Sequence, residues 1–115
     1  MKKSALFAFN GDAMCFIHVL LNALDLSERG HEVRVVIEGA ATRLIPDLED
    51  ESSPLFKLYT RAREQGLIHG ACRACASKMG TASSAEEQGL ALLDDMSGHP
   101  SMARFMEEDY DIVTF

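Results

Sequence analysis

The sequence predicts a three-layer α/β domain, in which a mostly parallel sheet of about five strands carries helices on both faces. The main observation is the order of the elements, because short apolar runs alternate with segments whose apolar residues recur at helical spacing. Length and composition agree with a single domain over residues 1–115. The chain has 115 residues, of which 47% are hydrophobic and 25% charged, as is usual for a globular protein.

The chain begins with a strand and a long helix. Residues 3–9 form an apolar run that predicts a buried strand, and the turn Asn10-Gly11-Asp12 places an Asp cap before the helix. The helix is predicted over residues 13–29, because its polar positions alternate in steps of three and four and share one face. These positions are Cys15, His18, Asn22, Asp25 and Arg29. The rest of the helix is almost wholly apolar, which predicts packing on the sheet and against another subunit.

The remaining elements continue the alternation. A β-branched run at residues 33–39 follows the first helix, so the first two strands are expected to be parallel neighbours. Further on, the spacing predicts helical segments at 41–44, 55–65, 73–79, 81–88 and 100–108, and strands at 67–72, 90–93 and 111–115. In the last helix, Met102, Phe105 and Met106 are expected to face inward.

Charge and the amino-terminal sequence exclude several classes of partner. The net charge is −7 and the eleven Lys and Arg residues form no stripe, so nucleic-acid binding is not expected. The first run has too few apolar residues for a signal peptide or a membrane span, which predicts a cytoplasmic protein with no membrane partner. No glycine-rich nucleotide fingerprint occurs, and no cofactor and no resident metal are assigned.

The motif that carries chemistry is the pair Cys72 and Cys75, located where the third strand leads into a helix. The helix dipole stabilises a thiolate in the first helical turn, and Arg73 and Lys78 are expected to add to this effect at Cys72. The leading interpretation is a nucleophilic or persulfide-carrying Cys72, with Cys75 assisting or resolving. Cys72 and Cys75 are accordingly the predicted catalytic residues.

Other interpretations of the cysteines stay open. The spacing allows a reversible Cys72–Cys75 disulfide. With His69, the two thiols offer three metal ligands where a structural zinc site needs four. Cys75 is explained equally well as a small buried hydrophobic residue, and for Cys15 that explanation is preferred. Cys15 nevertheless falls in the first turn of the first helix, so all three thiols are able to approach one edge of the sheet.

The remaining titratable residues gain no catalytic role from the sequence. His18 lies on the polar face of the first helix and His69 lies inside the third strand. His31 and His99 fall in turns, where solvated histidines are expected. Glu38 ends the second strand at the same edge as the cysteines, but it has no visible carboxylate partner, so a paired-acid mechanism is not supported.

Five segments, spread along nearly the whole chain, occur in a characteristic order. They are Asn10-Gly11-Asp12 with the apolar helix after it, the Gly30-His31 turn, Val35-Val36-Ile37-Glu38-Gly39-Ala40, Cys72 with Gly80 after it, and the closing stretch from Ser101 to Phe115. In this order and spacing, the sequence resembles the DsrE/DsrF-like family, which includes sulfur-relay proteins.

The resemblance implies a flavodoxin-like α/β fold, a homo-oligomer (dimer, trimer or hexamer) and a persulfide-carrying cysteine after the third main strand, which corresponds to Cys72. The implied function is that of a sulfur carrier or sulfurtransferase, which accepts sulfane sulfur on Cys72 and passes it to another sulfur-relay protein. Cys75 departs from the family pattern, where a small apolar residue is usual. Two alternatives are a non-enzymatic oligomeric protein that holds a metal or small ligand at the cysteine edge, and a thiol redox module.

Overall fold

The computed structural model describes all residues 1–115 and contains a five-stranded, wholly parallel sheet with the strand order β4, β3, β2, β1, β5. The strands are β1 Lys3–Ala8, β2 Glu32–Ile37, β3 Ile68–Cys72, β4 Leu92–Leu93 and β5 Asp111–Thr114. The helices are α1 Ala13–Glu28, α2 Ile45–Leu48, α3 Phe56–Glu64, α4 Arg73–Lys78, α5 Ala82–Glu87 and α6 Met102–Glu107, with a 3₁₀ helix at Gly39–Leu44. This architecture confirms the predicted three-layer α/β fold, including the number of strands.

The first strand–helix–strand unit forms as its sequence predicts. Asp12 caps α1, and its Oδ1 accepts a hydrogen bond of 2.8 Å from the Met14 backbone N–H. β1 and β2 then pair in parallel along their whole length, from Lys3 opposite Glu32 to Ala8 opposite Ile37. The two strands therefore end side by side, and the residues that follow them share one edge of the sheet.

Alternation along the strands divides the core between the two faces of the sheet. On one face, Leu6 and Val35 belong to a large cluster with buried residues of α1, α2, α3, α4 and α5. On the other face, Phe7 and Val36 pack with Phe105 of α6 in a smaller cluster. Helices thus cover both faces, but the second face has only one short helix over it.

α1 is the longest helix, and its polar side agrees with the prediction, since His18, Asn22 and Asp25 are exposed. On its apolar side, Phe16, Val19 and Leu20 are buried within the chain, whereas Met14 and Leu21 are 74% and 45% exposed, so the predicted contact with another subunit stays a prediction. No helix in the chain has both the length and the apolar character needed to cross a bilayer.

The last helix differs from its prediction at one residue. Phe105 is buried against the sheet and Met102 packs beside it, as expected. Met106 is 63% exposed, so the prediction that it faces inward is wrong. Phe105 and Met106 lie about 100° apart around the helix axis, and only the Phe105 side of this short helix is covered.

Two buried side chains fix the α4–α5 region against the 3₁₀ helix and α2. The Thr81 hydroxyl donates to the Thr42 carbonyl at 2.8 Å, and the Gln88 amide Nε2 donates to the Ile45 carbonyl at 2.8 Å. Because hydrogen bonds away from water are costly to lose, these contacts hold α4 at a set distance from the end of β2.

We expect Tyr59→Phe to stabilise the chain. The Tyr59 hydroxyl is buried without a hydrogen-bond partner, and burial raises its pKa to about 12. Removing an unpaired buried hydroxyl is expected to raise the free energy of unfolding by about 1 kcal/mol, measured as an increased urea midpoint at constant slope. Tyr110→Phe is the matched control, because the Tyr110 hydroxyl donates to Glu32 and its removal should lower stability. Loss of stability in Tyr59→Phe would contradict the assignment of its hydroxyl as unpaired.

Candidate functional site

Glu38 and Cys72 are brought together by the register of the sheet. Ile37 and Ala71 are paired residues of β2 and β3, and Glu38 and Cys72 are the next residues along the two strands. Both strands run in the same direction, so the two side chains emerge at the carboxyl edge of the sheet. Both residues are buried there, with Cys72 at 0% and Glu38 at 8% exposure.

Cys72 and Cys75 occupy the first turn of α4. Cys72 is the N-cap residue, and its Sγ accepts a hydrogen bond of 3.3 Å from the Cys75 backbone N–H. The two cysteines are three residues apart, so their side chains lie on the same side of the turn. Cys72 is buried, whereas Cys75 is partly exposed.

His99 reaches the cysteines because a reverse turn at residues 96–99 packs against the start of α4. The turn has reciprocal backbone hydrogen bonds between Met96 and His99, of 2.7 and 2.9 Å, and Gly98 adopts a φ of 91°. The Gly98 carbonyl accepts the Ala74 backbone N–H at 2.9 Å, and the Cys72 thiol also donates to it at 3.8 Å. A side chain at position 98 would be strained in this conformation, so glycine allows the turn to form.

Four potential ligand atoms converge on one point at this edge. The His99 Nδ1 atom lies 3.1 Å from the Cys72 Sγ and 3.7 Å from the Cys75 Sγ. The same nitrogen lies 3.7 Å from a Glu38 carboxylate oxygen. The ligand atoms of these four residues all lie within 4.8 Å of one another. We call Glu38, Cys72, Cys75 and His99 the edge cluster.

The environment of Cys72 differs from the one predicted. Burial raises the pKa of the Cys72 thiol to about 12, and the hydrogen bond from the Cys75 N–H opposes this only in part. Arg73 does not act on the thiol as expected, because its Nε makes an ion pair of 2.9 Å with the Asp94 carboxylate. The prediction that Arg73 holds an exposed Cys72 thiolate is therefore wrong for the chain without a bound ion.

Several residues considered as partners of the cysteines lie elsewhere. His69 packs edge-on against Phe105, with ring centroids 5.2 Å apart, and is not part of the edge cluster. The predicted set of His69, Cys72 and Cys75 as metal ligands is therefore wrong. Cys15 is partly exposed in the first turn of α1 and is also absent from the cluster, so the three thiols do not meet at one point.

Two members of the edge cluster, Glu38 and His99, are not predicted as partners of the cysteines from the sequence. His99 was expected to be a solvated turn residue, and no local feature connects it to Cys72, which is 27 residues earlier. Glu38 was placed at the correct edge, but it was thought to lack a partner. The useful signal for Glu38 was its position directly after β2, because carboxyl ends of neighbouring parallel strands meet.

The geometry distinguishes an ion site from a catalytic relay. In a relay, a histidine uses one ring nitrogen for the nucleophile and the other for the carboxylate. Here both thiols and the carboxylate approach the same Nδ1 atom. Zn–S and Zn–N bonds of about 2.3 and 2.0 Å place neighbouring tetrahedral ligands about 3.5 Å apart, which is close to the spacings found here.

We expect the Glu38 carboxyl to lower stability at neutral pH when no ion is bound. Burial raises its pKa, and the nearby His99 opposes this in part. The folded chain then favours the protonated acid, so stability is full below the ordinary pKa of 4.5 and falls as pH rises through the raised value. With a chelator present to keep the site free of metal, Glu38→Gln should unfold at a higher urea concentration than the parent chain at pH 7. This difference in urea midpoint should vanish below pH 4.5. A difference that does not change with pH would contradict this assignment.

Sequence relatives of the chain are archaeal proteins. An uncharacterized protein of Methanocaldococcus jannaschii, MJ0733, is 31% identical over 97 residues, which cover 84% of this chain and 77% of MJ0733. An uncharacterized protein of Archaeoglobus fulgidus is 47% identical over 58 residues, or 50% of this chain and 93% of the relative. A second A. fulgidus protein is 46% identical over 37 residues, or 32% of this chain and the whole of the relative. No family model matches the chain. No solved structure matches it.

Proposed function

The chain belongs to the family of MJ0733 from M. jannaschii, and we propose that this member binds one divalent transition-metal ion of the zinc type. The ligands are the Cys72 and Cys75 thiolates, the His99 Nδ1 atom and the Glu38 carboxylate. The observation that carries the proposal is the convergence of these four ligand atoms within 4.8 Å of one another.

The ligand set favours zinc over hard cations. Thiolate and imidazole ligands suit zinc and similar late transition metals, whereas magnesium and calcium require oxygen ligands. Two sulfurs, one nitrogen and one oxygen also meet the four-coordinate, tetrahedral preference of Zn²⁺. The two positive charges of the ion would offset most of the negative charge of two thiolates and a carboxylate, which are otherwise costly to bury together.

A site with four protein ligands leaves no open position for a substrate, which is typical of structural zinc. The ion would join the end of β2, the start of α4 and the turn at residues 96–99, three segments that are far apart in sequence. We therefore propose a binding and stabilising role for the metal. This is the binding-protein alternative of the sequence analysis, and it departs from the expectation of no resident metal.

Metal content of the purified chain tests this function. After incubation with zinc and removal of the excess, elemental analysis should find one zinc ion per chain. Cobalt in its place should give the intense visible absorption of a tetrahedral site and a sulfur-to-cobalt charge-transfer band. Cys15→Ser is the matched control and should retain both signals, because Cys15 lies outside the edge cluster. A zinc content well below one ion per chain, or a cobalt spectrum with only the weak absorption of an octahedral site, would contradict the proposed metal site.

A second candidate function is sulfur transfer through Cys72, as the resemblance to the DsrE/DsrF-like family implies. Its support is the Cys72 Sγ contact of 3.1 Å with the His99 Nδ1, because an adjacent imidazole can accept the thiol proton. The Cys72 thiolate would attack the sulfane sulfur of a donor, a new S–S bond would form, and the donor would leave with the electron pair of its broken bond. The persulfide would then pass its outer sulfur to a partner, with Cys75 assisting.

Intact mass spectrometry distinguishes sulfur transfer from metal binding. If Cys72 is a carrier, the metal-free chain incubated with polysulfide should gain about one sulfur atom. The gain should be absent in Cys72→Ser and present in Cys15→Ser. An unmodified mass under these conditions, together with stoichiometric zinc, would leave only the metal-binding function.

We also propose that the chain forms a homo-oligomer in the cytoplasm. The support for assembly is the pair of exposed apolar residues on α1, Met14 and Leu21, which the chain itself does not cover. The cytoplasm is a reducing compartment, in which Cys72 and Cys75 would stay available as thiols. Light scattering coupled to gel filtration should give a mass above the 12.6 kDa of one chain, and a monomer would contradict the proposal.

A further inference from the structure

We infer that oxidation of the cysteine pair releases the ion, and that Cys75 is the sulfur which an oxidant attacks first. The release rests on the proposed metal function. The order of attack rests only on the different exposure of the two cysteine residues. It reverses the order expected from the sequence, in which Cys72 is the nucleophile and Cys75 resolves.

The two cysteine residues of the edge cluster are unequally exposed. Cys72 has 0% exposure and lies beneath the turn at residues 96–99, whose Gly98 carbonyl is 3.8 Å from its Sγ. Cys75 is three residues further along, in the same first turn of α4, and is partly exposed. A small oxidant therefore reaches the Cys75 sulfur from solvent, whereas access to Cys72 requires the turn to move.

The two sulfurs are close enough to form a bond after a small movement. Their Sγ atoms lie within the 4.8 Å span of the edge cluster, compared with about 2.0 Å in a disulfide. Cys15 lies outside this group and offers no competing partner. Rotation of the two cysteine side chains in the first turn of α4 has to bring the sulfur atoms to bonding distance.

The reaction with hydrogen peroxide, taken as the oxidant, proceeds in two balanced steps. The Cys75 thiolate attacks one peroxide oxygen and the O–O bond breaks, which gives a sulfenic acid and hydroxide, and the hydroxide takes a proton to form water. The Cys72 thiolate then attacks the Cys75 sulfur, an S–S bond forms, the S–O bond breaks and the hydroxide that leaves is protonated. Overall, two thiolates lose two electrons, and one peroxide with two protons becomes two waters.

Disulfide formation removes two of the four ligands. Neutral disulfide sulfur is a poor ligand, because the thiolate is the form that binds metal. The ion is left with only the Glu38 carboxylate and the His99 imidazole. We therefore expect oxidation to release it, and a thiol reductant to restore the site.

The order of attack is tested in the Cys15→Ser background, so that only two thiols remain. Within it, Cys72→Ser keeps only the Cys75 thiol and Cys75→Ser keeps only the Cys72 thiol; each is treated with peroxide in the presence of a cyclic 1,3-dione, which traps sulfenic acids, and the rate of adduct formation is followed by mass spectrometry. We expect the Cys72 thiol in Cys75→Ser to react at least about tenfold more slowly than the Cys75 thiol in Cys72→Ser. Equal rates, or faster reaction at Cys72, would overturn the assigned order. Both variants are compared without zinc, so this result does not depend on the metal.

Ion release is tested on the zinc-loaded Cys15→Ser chain. Peroxide is added with a chromophoric zinc chelator present, and free thiols are counted at each time point. We expect one zinc released for every two thiols lost, a Cys72–Cys75 disulfide in the peptide map, and zinc rebinding after reduction. Zinc that stays bound after the disulfide has formed would overturn the inference while the proposed function stands. If the chain binds no zinc at the start, that result contradicts both the proposed metal-binding function and the inferred release of the ion.

Discussion

Cys72→Ser should lower the zinc affinity of the chain by more than about 100-fold, since changes to residues that merely support a ligand already cost about 10–100-fold. Cys72 is the most buried member of the edge cluster and lies 3.1 Å from the His99 Nδ1. A serine hydroxyl nearly preserves the side-chain volume but stays protonated at neutral pH, so it replaces a thiolate with a weak neutral ligand. Competition with a chromophoric chelator measures the change in dissociation constant.

The matched control for this experiment is Cys15→Ser, which makes the same chemical change outside the edge cluster. It should leave the zinc affinity unchanged within the error of the measurement. Thermal unfolding in chelator should show that both variants still fold cooperatively. Similar affinity losses in the two variants, or parental affinity in Cys72→Ser, would remove Cys72 from the ligand set.

Phe16→Ala should lower the free energy of unfolding by about 3–5 kcal/mol. Phe16 is 1% exposed and belongs to the larger core cluster, where α1 packs on the sheet. The change removes buried apolar surface and leaves a cavity that a packed core closes only partly. Urea unfolding followed by circular dichroism measures the loss as a lower midpoint.

Met14→Ala is the control on the same helix, two residues earlier. Met14 is 74% exposed in the single chain, so at a protein concentration that keeps the chain monomeric its truncation should change the free energy of unfolding by less than about 0.5 kcal/mol. A larger loss that appears only at higher protein concentration would support the proposed interface between subunits on this side of α1. A small loss in Phe16→Ala would contradict the orientation of α1 on the sheet.

The fold could be predicted from the sequence because its signals are local and agree with one another. The apolar run at residues 3–9, the cap at Asp12 and the polar face of α1 define three consecutive boundaries without reference to the rest of the chain. The helix between β1 and β2 then requires a parallel pair, which the structure confirms. The prediction for Met106 was wrong because helical spacing shows which residues share a face of the helix, but not how much of that face the sheet covers.

The site could be predicted only in part, because its members meet through tertiary structure. The Cys72 and Cys75 spacing and the position of Glu38 after β2 both indicated the correct edge. His99 joins them through a turn whose contact with α4 has no signature in the sequence. The expected effect of Arg73 on Cys72 failed for a similar reason, since its partner Asp94 is 21 residues away along the chain. Contacts of this kind decide which charges reach a buried thiol.

X-ray absorption spectroscopy at the zinc K edge of the loaded chain tests the central claim most directly, because it reports the atoms bound to the metal. The edge cluster predicts two sulfur neighbours at about 2.3 Å and two nitrogen or oxygen neighbours at about 2.0–2.1 Å. In the spectrum of His99→Ala, one of the nitrogen or oxygen neighbours should change, and both sulfur neighbours should remain. A spectrum with no sulfur shell, or with six oxygen or nitrogen neighbours, would contradict the proposed site.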